Sequence, residues 1–135
     1  GTLGGKTVEI IGYEINKQRF DPGEEIELTL YYKVLKEMDK NWKVFFHFDV
    51  YSGALPHSFK LDDYPQQGYL PTTKWTPGMI LKDTFKVTVP REHPGGGVKI
   101  YTGFYEENDR MDVDKESFND GQKRFILGTF SVNIK

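Results

Sequence analysis

The chain has 135 residues, a net charge of −2, and 15% aromatic and 28% charged residues; this length and composition suit one folded domain and exclude a disordered chain. Lysines and arginines are interspersed with acidic residues, and no apolar run approaches the ~18 residues that span a bilayer, so we predict neither nucleic-acid binding nor membrane insertion by this fragment. The chain contains no cysteine, which excludes disulfides and thiolate zinc sites.

Residues 1–6 are rich in glycine and have no initiator methionine. They predict a linker or cloning remnant in a fragment of a larger protein, followed by one domain over residues 7–135. Beyond them, alternating or β-branched segments predict seven strands. In chain order these are 7–15, 26–34, 42–51, 57–61, 81–89, 98–105 and 124–134.

Two of these segments show their buried faces clearly. In 26–34 the apolar side chains share one face, which predicts a half-buried strand. They are Ile26, Leu28, Leu30, Tyr32 and Val34. In 42–51 both faces carry apolar side chains, which predicts a central strand. Seven to eight strands with turn signals between them predict an all-β fold, an antiparallel two-sheet β-sandwich of Ig-like type.

Three stretches carry a resemblance to a known family. They are Ile11–Gly12–Tyr13 with 20–24 and 28–32, then 44–48 with Asp62, Pro65, Gly68, Pro71–Thr72, Trp75, Pro77–Gly78 and Asp83, then Val89–Pro90, Gly97 and 103–105 ahead of Arg110. Over about residues 7–113 this order resembles the extracytoplasmic C-terminal β-sandwich domain of bacterial membrane glycosyltransferase-type proteins, which are similar to dolichyl-phosphate-mannose-protein mannosyltransferases. The resemblance implies a periplasmic or cell-surface location and a glycan context.

The long segment 55–78 contains the strongest candidates for a binding site. A carboxylate pair lies close to several aromatic residues, a combination that suits sugar rings and their hydroxyl groups. The candidate ligand-binding residues are Asp62, Asp63, Tyr64, Tyr69 and Trp75, with His47 facing them from a neighbouring strand. The alternative is a structural loop in which Trp75 plugs the end of the sandwich, and large aromatic residues are more often buried than exposed.

Asp83 occupies an inward position of its strand. A buried carboxylate requires partners, so we expect a structural clasp in which Asp83 accepts hydrogen bonds from backbone N–H groups of the preceding loop or from Arg110. His47 lacks a serine nucleophile in a suitable context. We therefore expect a non-catalytic protein rather than an enzyme.

Acidic residues are concentrated in 106–120. Calcium is bound by six to eight oxygen ligands, and Asp109, Asp112 and Asp114 are the candidates, although a solvated acidic loop is the default interpretation. We expect no other cofactor. The sequence as a whole favours a non-catalytic extracytoplasmic module that binds glycan or positions an adjoining membrane enzyme. The alternative is a structural or adhesive module that contacts a neighbouring protein.

Overall fold

The structure is a computed structural model that describes residues 2–3, 7–50, 58–107, 109–111 and 123–134. Within these ranges ten strands form two sheets, and two short 3-10 turns lie at Pro65–Gly68 and Thr72–Lys74. In this part of the chain, no helix has the length and apolar character needed to cross a membrane.

The smaller sheet contains four strands in the order β1-β2-β4-β7. They are β1 (Thr2–Leu3), β2 (Val8–Ile15), β4 (Glu25–Val34) and β7 (Ile80–Thr88). Neighbouring strands in this sheet are antiparallel. Leu3 is fully buried, so the sheet begins within the predicted linker.

The larger sheet contains six strands in the order β3-β10-β8-β5-β6, with β9 paired to β8. They are β3 (Arg19–Phe20), β5 (Lys43–Val50), β6 (Phe59–Asp63), β8 (Gly96–Glu106), β9 (Asp109–Arg110) and β10 (Phe125–Val132). The β3–β10 pair is parallel and the others are antiparallel. This sheet is curled into a half-barrel.

The predicted all-β, two-sheet class is confirmed, but the predicted count of seven to eight strands is too low. The seven predicted strands correspond to the seven longer ones. The described residues add three strands of two residues each, β1, β3 and β9. Strands of two residues are too short to show alternation in a sequence. The curl of the larger sheet leaves the finer Ig-like assignment unsupported by the architecture.

The core lies between the sheets and follows the predicted alternation. The inward side chains of β4 are at most 1% exposed: Ile26, Leu28, Leu30, Tyr32 and Val34. Each such aliphatic side chain stabilises the fold by about 1.5–3 kcal/mol relative to exposure. β5 lies between β8 and β6, so its predicted central position is confirmed. The outer face of this central strand carries the side chains of the candidate site.

Candidate functional site

A cavity of about 290 Å³ lies on the outer face of the larger sheet, away from the core. Its lining comes from β5, β6, β8, β9 and the turn between β8 and β9. The residues are Phe45, His47, Lys60, Asp62, Tyr105, Glu107 and Arg110. We call this the outer-face cavity. Its volume is close to the lower end of the range for small-molecule sites.

The aromatic floor of the outer-face cavity depends on a glycine. Phe45 on β5 is paired with Gly103 on β8, and a Cβ atom at Gly103 would lie 2.6 Å from the Phe45 ring. The ring therefore lies over the bare backbone of β8. On the ring's other side, the Arg110 guanidinium carbon is 4.7 Å from the ring centroid. This is cation–π geometry, and Phe45 is only 4% exposed.

His47 lies beside Phe45 on the same face, with 4.9 Å between the ring centroids. Burial, followed by the positive charges of Arg110, Lys60 and Arg124, lowers the pKa of His47 to about 4, against a smaller opposing effect of Asp49. The imidazole is therefore neutral at neutral pH. Arg124 Nη1 lies 3.3 Å from His47 Nδ1, and arginine can only donate. The imidazole proton is therefore on Nε2, which is a hydrogen-bond donor.

Arg124 supports the His47 side of the outer-face cavity. Its Nη1 atom donates to Asp49 Oδ2 at 2.9 Å, and its guanidinium carbon lies 3.7 Å from the centroid of the Tyr101 ring. The guanidinium is thus held by a carboxylate and an aromatic face at once. This arrangement restricts the rotation of the His47 ring.

Asp62 and Tyr105 form the other side of the cavity. Burial raises the pKa of Tyr105, and the charge of Asp62 and a hydrogen bond to it act in the same direction. The phenol therefore donates to the Asp62 carboxylate, which leaves the carboxylate's remaining lone pairs as acceptors. The cavity thus presents the Asp62 carboxylate as an acceptor and the Lys60 and Arg110 side chains as donors.

Alternation along β6 separates the two carboxylates that the sequence places side by side. Asp62 lines the outer-face cavity, whereas Asp63 lines a different cavity of about 270 Å³ together with Tyr64. Asp63 Oδ1 accepts the backbone N–H of Tyr64 at 2.7 Å. Successive side chains of a strand point to opposite faces, so the predicted Asp62–Asp63 pair is not a single site.

Trp75 is part of the core and not of an exposed surface. The residue is 1% exposed, and its indole N–H donates to the Leu70 carbonyl at 3.0 Å. Its ring centroid lies 5.5 Å from that of Tyr32 and 6.1 Å from that of Phe104. A ring enclosed by both sheets offers no face to a ligand, so Trp75 plugs the sandwich, as the alternative interpretation expects.

Neither of the two candidate tyrosines lines the outer-face cavity. Tyr69 is 87% exposed and lines a cavity of about 280 Å³ beside Asp83. The Tyr64 ring has Lys43 Nζ at 4.9 Å from its centroid. Of the six predicted ligand-binding residues, the structure therefore brings His47 and Asp62 together in one cavity.

Asp83 is buried, and of the two predicted kinds of partner it has a backbone N–H group of the preceding loop rather than Arg110. Oδ2 accepts the backbone N–H of Gln66 at 3.0 Å and lies 3.5 Å from the Tyr32 hydroxyl. Burial raises the pKa of Asp83 to about 6, against the opposing effect of these hydrogen bonds. Arg110 belongs to the other sheet and lies over Phe45. The clasp therefore joins β7 to the 3-10 turn at Pro65–Gly68.

The calcium hypothesis rests mainly on residues whose structure is not described. Asp112 and Asp114 lie outside the described residues, and Asp109 is in β9. Across the described ranges, no three histidine or acidic side chains come together in a group that would hold a metal ion.

Sequence reasoning does not identify Phe45, Lys60, Tyr105 or Glu107 as site residues. One signal was available, because Phe45 and His47 occupy alternate positions on the second, partly apolar face of β5. The contribution of β8 and β9 depends on strand pairing over more than fifty positions of the chain, which a local pattern does not encode.

This chain is similar to known proteins in its fold and not in its sequence. No family model matches it, and no curated protein matches its sequence. The C-terminal domain of Wzt is similar in structure, with a TM-score of 0.60 and 9% identity over 96% of this chain and 75% of that chain.

Two further solved structures are similar over nearly the whole chain. Alkylpurine DNA glycosylase AlkC from Pseudomonas fluorescens, bound to DNA containing an abasic site analog, has a TM-score of 0.53 and 14% identity over 94% of this chain and 30% of that chain. A Niemann-Pick type C2 protein from Japanese carpenter ant has a TM-score of 0.53 and 10% identity over 96% of this chain and 93% of that chain. At these identities the likeness shows a common fold, and the membrane glycosyltransferase-type assignment is not confirmed.

Proposed function

We propose that this chain is a non-catalytic, carbohydrate-binding β-sandwich module whose ligand occupies the outer-face cavity. The observation that supports this proposal is the composition of that cavity. The half-buried ring of Tyr105 lines the cavity together with an acceptor, Asp62, and two donors, Lys60 and Arg110. A sugar ring has apolar C–H faces that pack on aromatic rings and hydroxyl groups that both donate and accept hydrogen bonds.

The non-catalytic part of the proposal is supported by the state of His47. A general base is most effective when its pKa lies near the working pH, and the pKa of this imidazole is about 4. Its Nδ1 atom also faces the Arg124 guanidinium at 3.3 Å. A neutral donor held in this way suits recognition of a hydroxyl group better than proton abstraction.

The place of the module in a larger protein is proposed from the sequence resemblance. We infer an extracytoplasmic, Ig-like domain, in the periplasm or at the cell surface, that positions an adjoining membrane enzyme of glycosyltransferase type. The likeness to the C-terminal domain of Wzt supports a fold that occurs as one unit of a longer chain. Glycan binding by such a unit keeps the substrate or product close to the enzyme.

The test uses Asp62 and Asp63, which are neighbours on β6 but line different cavities. We would titrate the protein with glucose, mannose, galactose, rhamnose and N-acetylglucosamine oligosaccharides by calorimetry and amide chemical-shift mapping. Asp62→Ala should weaken binding of the responding sugar by about tenfold or more, because a charge-assisted hydrogen bond is lost. Asp63→Ala should leave the affinity within about twofold.

Two results would contradict the proposal. One is the absence of a saturable response to any sugar, and the other is equal affinity of wild type and Asp62→Ala. The second result would place sugar binding outside the outer-face cavity, and the first would favour the adhesive alternative, for which a specific observation exists. Tyr69 and Ile80 are 87% and 67% exposed. Ile80 begins β7, and Tyr69 lines a cavity with Lys82 and Asp83 of that strand, so a protein partner would find exposed hydrophobic side chains there.

A further inference from the structure

A fourth cavity, of about 460 Å³, shares Arg110 with the outer-face cavity. We call it the Trp42 cavity. Its lining combines one tryptophan, three carboxylates and two cations with small and apolar groups. The residues are Thr7, Glu37, Met38, Asp39, Trp42, Asp109, Arg110, Met111 and Lys123.

Arg110 is common to the linings of both cavities. It lies on β9, where it is paired with Tyr105 of β8, and its guanidinium covers the Phe45 ring. The two cavities therefore meet at one side chain. A ligand that extends beyond the outer-face cavity past Arg110 enters the Trp42 cavity.

The backbone at Trp42 is held in place by its neighbours. The backbone N–H of Trp42 donates to Thr72 Oγ1 at 2.8 Å, and that hydroxyl donates to the Lys40 carbonyl at 2.6 Å. Thr72 is fully buried, so the segment before β5 is tied to the 3-10 turn at Thr72–Lys74. Trp42 is half-buried and packs against the core with part of its surface. Its remaining surface lines the cavity.

The Trp42 cavity therefore repeats the chemistry of the outer-face cavity. An aromatic ring lies among carboxylate acceptors at Glu37, Asp39 and Asp109, with Lys123 and Arg110 as donors. Glu37 and Asp39 are exposed, so their carboxylates reach solvent and ligand alike. Rings and hydrogen-bonding groups of this kind on both sides of Arg110 fit consecutive units of one sugar chain.

We propose that the two cavities are subsites of one extended binding site and that the ligand is an oligosaccharide or polysaccharide rather than a single sugar. This inference rests on the proposed carbohydrate-binding function and specifies its ligand class. One end of the bound segment contacts Asp62, Tyr105 and His47. The next units pass Arg110 and stack on Trp42.

The test measures affinity against chain length. Ladders of glucose, mannose and N-acetylglucosamine oligomers, from monosaccharide to hexasaccharide, would be titrated by calorimetry. We expect the longer members of the responding ladder to bind about tenfold or more tightly than the monosaccharide, because a second set of contacts is added within one ligand. Asp39→Ala should remove most of that gain and leave the monosaccharide affinity unchanged, whereas Asp62→Ala should weaken both.

Control variants separate this inference from general damage and from failure of the proposed function. Glu27→Ala, an exposed acidic position on β4 of the other sheet, should change neither affinity. Trp42→Phe keeps an aromatic ring in the core contact and should reduce the length gain partly. Two results would overturn the extended site and leave the proposed sugar binding intact. One is an affinity that does not depend on oligomer length, and the other is an Asp39→Ala variant that keeps the full gain in affinity with length. If the protein bound none of the oligomers, both proposals would be overturned.

Discussion

Gln66 and Gln67 adopt left-handed backbone conformations, with φ of 55° and 56°. Left-handed backbone costs a non-glycine residue roughly 1–2 kcal/mol. The contacts that hold this conformation come from β7. Asp83 accepts the Gln66 N–H at 3.0 Å, and Gln66 Nε2 donates to the Lys82 carbonyl at 2.8 Å. A buried carboxyl and a strained turn therefore stabilise each other at the edge of the sandwich.

This strain predicts the effect of a glycine at position 67. Gln67→Gly should raise the free energy of unfolding by up to about 1 kcal/mol, because glycine adopts positive φ without a steric penalty. Gln67→Ala removes the same side chain but keeps the Cβ atom, so it should give no such gain. Urea denaturation of both variants provides the measurement. Equal changes in the two variants would show that backbone strain is not the cause.

At the scale of elements, the outer-face cavity depends on how closely β5 and β8 approach each other. The Phe45 ring occupies the space where Gly103 has no side chain. Arg110 covers the ring from outside, so the ring has little room to move outward. The pairing of these two strands therefore determines both the packing of the sheet and the floor of the proposed site.

Gly103→Ala should lower the free energy of unfolding by about 1–3 kcal/mol, the usual range for an overpacked position. The added Cβ would lie 2.6 Å from two Phe45 ring carbons and 3.2 Å from the Lys123 carbonyl oxygen. Gly12→Ala on β2 is the matched control, because nothing lies within 4 Å of its Cβ position. Chemical denaturation of both variants tests the prediction, which fails if the two changes in stability are the same.

At the scale of the whole molecule, the half-buried His47 and the buried Asp83 give stability opposite dependences on pH. The pKa of His47 is lowered from 6.5 to about 4, so between these values the unfolded chain binds a proton that the folded protein excludes. Stability from His47 therefore falls as the pH falls through that window. The pKa of Asp83 is raised from 3.8 to about 6, so between these values the folded protein binds a proton that the unfolded chain does not. The contribution of Asp83 to stability therefore rises as the pH falls through that window.

Single variants should separate these two contributions. Relative to wild type, His47→Asn should become progressively more stable as the pH is lowered from 6.5 to about 4, because the penalty for excluding a proton is gone. Asp83→Asn should lose stability relative to wild type between about pH 6 and 3.8, because the favourable proton uptake is gone. Urea denaturation across this range measures both differences. A difference that does not change with pH would contradict the assigned pKa shift.

Local pattern accounts for much of the fold. Alternation in β4 and β5 predicts which side chains face the core, because side chains of an extended chain alternate wherever it folds. The same rule, applied two residues beyond the predicted strand 57–61, would have separated Asp62 from Asp63. The buried position of Asp83 also follows from its register in β7, whereas the choice of the Gln66 N–H group over Arg110 as its partner does not.

The sequence by itself determined the all-β class, the seven longer strands and the buried face of β4, since each depends on neighbouring residues. Only the tertiary structure decided that Trp75 is enclosed while Trp42 borders a cavity, since burial depends on which segments pack around a ring. It also decided that Arg110 meets Phe45 rather than Asp83. That contact requires β9 to pair with β8 and β8 with β5, and such long-range pairing is selected by the packing of the whole chain.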